Sequence, residues 1–170
     1  MYDICSKCRK EIDQLECVRV EKQIKVWLIE QNINSSYSNQ TVPCASNRLR
    51  PDFVFPQKEH VVVLEVDENQ HRGYETRCEI GRVQKIQMSV LPLNMHLIRY
   101  NPHSKEGDLK SVLLEALMYG FANNLGSLQP DGCYIQYLGY SSERIQELEE
   151  TMLEMQQEQE ASFSSSSSSS

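Results

Sequence analysis

The segment HVVVLEVD, His60 to Asp67, constrains the fold more than any other part of the chain. An unbroken run of valine and leucine suits a strand buried on both faces, because β-branched side chains pack well on a pleated surface. Such a strand lies inside a sheet and needs cover above and below. Just ahead of it, Arg50-Pro51 starts extended chain, since proline disfavours helix in the residue before it. Asp52 to Phe55 then reads as a short strand stopped by Pro56-Gln57-Lys58, so the two segments form an antiparallel hairpin with its turn near PQKE.

The flanking sequence supplies the cover. From Cys17 to Ile33 the apolar residues Val20, Ile24, Trp27, Leu28 and Ile33 recur at helical spacing, with no Gly or Pro. Tyr74 to Val90 repeats that spacing, with Cys78, Val83, Ile86 and Val90 as its apolar face and Pro92 ending it. Met95–Tyr100 reads as a strand closed by Asn101-Pro102. Leu109–Phe121 reads as a helix burying Leu113, Leu117 and Phe121, and Cys133–Leu138 as a last strand. The expected fold class is α/β, a mixed β-sheet flanked by helices. Residues 18–140 form the folded domain, 1–17 an N-terminal segment, 141–160 an acidic helical tail, and 161–170 a disordered poly-serine end with too little apolar surface to order itself.

The strand HVVVLEVD also carries the chemistry. Side chains alternate along a strand, so Glu65 and Asp67 share one face while Leu64 and Val66 share the other. Two carboxylates there repel each other and resist desolvation, and a hard divalent cation with oxygen ligands offsets that cost. Asp52, on the neighbouring strand, supplies a third oxygen. The competing reading is a solvated turn at Asp67-Glu68-Asn69. His71 follows, able to move a proton if it stands beside the acids, and Arg72, Arg77, Arg82 and Lys85 lie beyond. Arg82 either pairs with Glu79 on the helix or holds a phosphate.

Charge does not exclude a nucleic-acid partner. The chain is formally −7, but residues 1–140 hold 17 acids against 16 Lys/Arg, so the acidity belongs mainly to the last 30 residues. Binding a phosphate backbone requires only a local basic surface. No apolar run reaches membrane-span length, so no membrane partner is expected. With no secretory signal visible and six cysteines not laid out as a disulfide scaffold, an intracellular, reducing compartment is expected. Cys5, Cys8 and Cys17 read as free thiols, with a zinc-ribbon remnant as the alternative.

The motifs RPDFVF, VVVLEVDENQHRGYE, CEIGR and HLIRYNP, in this order, resemble the very-short-patch-repair-like and homing-endonuclease-like branch of the PD-(D/E)XK nuclease superfamily. The resemblance covers about residues 18–140. It implies a restriction-endonuclease-like core, Mg²⁺ or Mn²⁺ as cofactor, DNA as the partner and metal-dependent endonuclease activity. On this pattern Asp52, Glu65 and Asp67 bind the metal, and Glu21 on the first helix reaches it, with Glu30 a weaker substitute. Gln70 positions water or phosphate, His71 transfers a proton, and Arg82 with Arg50 or Arg72 contacts the backbone. Arg99 and Asn101 match the R-x-N corner. The superfamily's usual lysine is replaced by Asp67, which removes the expected partner of the attacking water and leaves the general base open. Nuclease cores of this size often pair, so a homodimer is also expected. The rival expectation is a non-catalytic nucleic-acid-binding or protein-interaction module that keeps the fold. A third is a metal-stabilised structural domain.

Overall fold

The computed structural model describes residues 20–38, 50–105 and 107–167. The cysteine motif at Cys5 and Cys8, together with Cys17, lies outside the described residues. The described chain is α/β. Helix α1 covers residues 20–30, followed by β1 (Tyr37–Ser38), β2 (Phe53–Pro56), β3 (His60–Val66), α2 (Thr76–Val90), β4 (Asn94–Tyr100), α3 (Leu109–Ala122), β5 (Cys133–Leu138) and α4 (Ser142–Ser167). The five strands form one mixed sheet in sequence order. β1 and β2 pair antiparallel, as do β2 and β3, while β3, β4 and β5 run parallel.

The expected central strand is buried at every position of β3. Its period of two divides the core. Val62, Leu64 and Val66 join Phe53, Phe55, Ile98 and Tyr100 under α1 and α3, where Ile24, Leu28, Leu113 and Leu117 are buried. Val61 and Val63 join Val54, Met95 and Leu97 under α2, against Val83 and Ile86. Burying one such aliphatic side chain contributes on the order of 1.5–3 kcal/mol, so these two layers dominate the drive to fold. Gly120 of α3 lets the helix close on the sheet: a Cβ there would lie 2.4 Å from His96 Nδ1.

Several boundaries differ from the sequence reading. The first hairpin strand begins at Phe53, so Asp52 stands just ahead of the ladder, and Pro56 is inside it. Among the described residues β1 pairs with Val54 and Phe53 and stops short of Pro56, so no described neighbour needs an amide proton there. The central strand ends at Val66, and Asp67 turns out of it while its N–H still donates to Tyr100 O at 2.8 Å. Cys78, expected on the apolar face of α2, is exposed, and Glu79 and Ile80 are buried instead.

The C-terminal residues are more closely packed than their composition implies. Residues 141–160, expected as an acidic helical tail, are helical and also pack against the rest of the domain. Leu148 of α4 is fully buried against Ile80 and Tyr140, with Ile145, Met152 and Met155 around it. Of the serine-rich end expected to be disordered, residues 161–167 continue α4, and residues 168–170 lie outside the described residues. Extending an existing helix by one residue costs far less than nucleating one.

Candidate functional site

The alternation that builds the core also delivers polar groups to the α2 face at one end of the sheet. Val61, Val63 and Glu65 share that face of β3, as do Met95, Leu97 and Arg99 of β4. Register aligns Glu65 with Arg99, and Arg99 with Tyr137 of β5. The β2–β3 ladder pairs Phe53 with Leu64, so one further step brings Asp52 opposite Glu65. Asp52 Oδ2 accepts from Val66 N at 2.7 Å, which fixes the carboxylate there.

Asp52 and Glu65 form a crowded acidic pair. Burial, then the charges of Glu65 and Glu21, pushes Asp52 up to about 9, against a partly offsetting bond from Val66 N–H. Burial also raises Glu65, although Arg82 opposes it. Arg82 donates to Glu65 Oε2 from Nη2 at 2.8 Å and from Nε at 3.3 Å, and its Nη2 also reaches Arg50 O at 3.0 Å. Glu65 Oε1 is buried with no hydrogen-bond partner among the described residues. A buried carboxylate oxygen left without a donor is costly.

Asp67 belongs to a second cluster. Its Oδ2 accepts from Arg99 Nε at 2.5 Å and from Tyr140 OH at 2.6 Å, while Oδ1 faces His71 Nε2 at 3.3 Å. Burial alone would raise its pKa, but Arg99, His71 and Tyr140 outweigh burial and hold Asp67 below the usual range. His71 Nδ1 lies 2.7 Å from Glu79 Oε1, so both ring nitrogens face carboxylates. Burial works against protonation, but the bond to Glu79 and the charge of Asp67 raise the imidazole above its ordinary value. Glu79 Oε2 also pairs with Arg144 Nη2 at 3.1 Å and Arg99 Nη2 at 3.4 Å.

A left-handed turn connects the two clusters to α4. Asn69, Gln70 and His71 have φ of 53°, 58° and 50°. For residues with a side chain this costs roughly 1–2 kcal/mol each, so outside contacts have to hold it. Gln70 Oε1 accepts from Ser141 N at 2.9 Å, and Arg144 donates from Nε to Gln70 O at 3.3 Å and from Nη2 to His71 O at 3.4 Å.

The structure thus brings Asp52, Glu65 and Arg82 together, with Glu21 close enough to raise Asp52 electrostatically. It places Asp67 and His71 in the adjoining salt-bridge network. Gln70 spends its carbonyl on the start of α4, and Arg50 and Arg72 are exposed at the rim. The expected Glu79–Arg82 pair on α2 is not among the ion pairs, because each side chain answers a different buried partner. Sequence reasoning missed Tyr140 and Arg144, and gave Glu79 only as one of two partners for Arg82. The available signal was a glutamate beside Ile80 on an apolar helix face and an arginine in the strand MHLIRY, each of which needs a partner once buried.

Among the described residues, no group of three or more His, Cys, Asp or Glu is arranged to hold a metal ion. Asp52 and Glu65 nonetheless present oxygen donors of the type a hard divalent cation takes, one of which, Glu65 Oε1, is buried without a hydrogen-bond partner among the described residues. No helix among the described residues is long and apolar enough to cross a membrane. Comparison with protein-family models, with curated proteins and with solved structures found no match.

Proposed function

We propose that this chain is a metal-dependent nuclease with a restriction-endonuclease-like core, hydrolysing phosphodiester bonds in DNA. The observation that carries the reading is the Asp52–Glu65 pair, joined across the antiparallel hairpin with Glu65 Oε1 buried and without a donor. Asp52 and Glu65 would hold Mg²⁺ or Mn²⁺, with Glu21 completing the oxygen set. The ion, when bound, supplies charge neutralisation of the phosphoryl oxygens and a lowered pKa for coordinated water.

The chain's own residues do the rest. Arg82 ties Glu65 to α2 and presents a guanidinium, the group best matched to a phosphate oxygen pair. His71, held between Asp67 and Glu79, carries a proton suited to the leaving oxygen.

One observation favours the rival reading, a binding module that retains the fold. Asp67 stands where the superfamily's usual lysine is found, and its oxygens are engaged by Arg99, Tyr140 and His71. Incubation of the intact protein with plasmid and oligonucleotide substrates separates the two. With Mg²⁺ or Mn²⁺ the protein should cleave, and EDTA, Asp52→Asn or Glu65→Gln should lower the rate by on the order of a hundredfold or more. Binding that ignores metal, with no cleavage of any substrate, would establish the module instead.

A further inference from the structure

A second site lies at the carboxyl ends of the three parallel strands, the end at which open α/β sheets bind ligands. The loops that follow β3, β4 and β5 enclose a cleft of about 320 Å³. Its lining includes Gln70, Arg72, His103, Lys105 and Tyr140, but neither Asp52, Glu65 nor Arg82. None of the described residues lining it is acidic.

The floor is already built. Asn101 is buried, donates from Nδ2 to Gly139 O at 2.7 Å and accepts from His103 N at 3.2 Å. Gly139 has φ of +71°, and a Cβ there would meet Asn101 O and Ser104 Cβ at 2.8 Å, so only glycine lets the second and third loops close on each other. The first loop is fastened by Gln70 Oε1 on Ser141 N.

These internal bonds decide what the cleft offers a guest. Gln70 has spent its acceptor on Ser141, Asn101 has used both ends of its amide, and the Tyr140 hydroxyl is committed to Asp67. The charged side chains left for a ligand are both cations, the Arg72 guanidinium and the Lys105 ammonium, and the Gln70 amide NH₂ adds a donor, while Asn69, His103, Ser104 and Ser141 line the cleft with neutral groups that can donate or accept. Arg72 and Lys105 are exposed at the rim. A guest that satisfies two cations and an amide NH₂ is an anion rich in acceptors.

We propose that this cleft binds a phosphodiester group of a nucleic-acid strand, a contact point separate from the Asp52–Glu65 pair. The phosphate chemistry follows from the donors; that it belongs to a strand rests on the nuclease reading.

The test is equilibrium binding of labelled single- and double-stranded oligonucleotides to the intact protein in EDTA, over a range of salt. Arg72→Gln with Lys105→Gln is expected to weaken binding by on the order of tenfold at low salt. It should also reduce the slope of log K against log salt by about 1–2. Lys58→Gln, an exposed change in the β2–β3 turn at the opposite end of β3, should alter neither. Affinity and slope unchanged in the double variant overturn the proposal even if the protein cleaves DNA. Loss of binding in that variant upholds it even if no cleavage is ever seen. Thermal stabilisation by millimolar inorganic phosphate, lost in the double variant and without any oligonucleotide binding, would replace the strand by the free ion and overturn the assignment.

Discussion

Asp52 and Asp67 stand at the same end of the sheet and are driven in opposite directions. Asp67, held low by Arg99, His71 and Tyr140 against its burial, contributes stability above its unfolded pKa that is lost as pH falls through its folded value. Asp52 does the reverse. Its carboxyl rises from 3.8 to about 9, so the folded state binds the proton more tightly and stability falls as pH rises through that window. Asp52→Asn removes this slope. In EDTA the variant should melt above the parent at pH 8, by about 1 kcal/mol or ~2–4 °C for a chain of this size. Well below pH 3.8, where the parent carboxyl is protonated in both states, the two should coincide. A parent protein that melts higher at pH 8 would show that the acidic pair carries no such strain. Sequence spacing already placed Glu65 on the face opposite Leu64 and Val66, because strand alternation is local, and the structure packs α2 on that face. It could not show that Asp67 would leave the strand and find Arg99 and Tyr140, since those contacts depend on where β4 and β5 end.

At the scale of elements, periodicity was a good guide wherever one contact surface set the pattern. β5 runs from Cys133 to Leu138 as expected, and the hairpin and the helices α2 and α3 lie where apolar spacing places them. α4 was read as a tail because its glutamates and glutamines dominate its composition, and the contribution of Leu148 and Arg144 appears only when α2 is beside it. Arg144 joins elements: it reaches the carbonyls of Gln70 and His71, Thr76 Oγ1, Glu79 and Glu147. Arg144→Ala should therefore release the left-handed turn while leaving the sheet intact. Amide exchange is expected to quicken by tenfold or more at residues 69–74 and to change little in β3 and β4. Uniform quickening would mean that α4 stabilises the domain as a whole rather than the turn.

At the scale of the molecule, a bound ion acts on every part through the folding equilibrium, because only the folded state assembles the acidic pair. Binding requires an ionised Asp52, so it competes with the proton that burial holds there. Mn²⁺ or Mg²⁺ should raise the melting temperature more at pH 8 than at pH 6, and calorimetry should record about one proton released per ion near neutral pH. Both effects should shrink in Asp52→Asn. Stabilisation equal at the two pH values would place the ion elsewhere. The fold class was legible in the sequence because a single apolar strand dictates a covered sheet. The cleft beyond β3, β4 and β5 was not, because it exists only after three loops distant in sequence are brought to one end of that sheet.

Arg144 also sets an order of events. The hairpin with Asp52 and Glu65 and the partners Glu79 and Arg99 all precede it in the chain, so synthesis delivers every acid of the site before the arginine that fastens the turn. In a nascent chain that has not yet released α4, the turn at Asn69, Gln70 and His71 lacks its contacts to Ser141 and Arg144, and Glu79 lacks one of its two guanidinium partners. The clasp on this turn is thereby completed only once synthesis has passed through this segment.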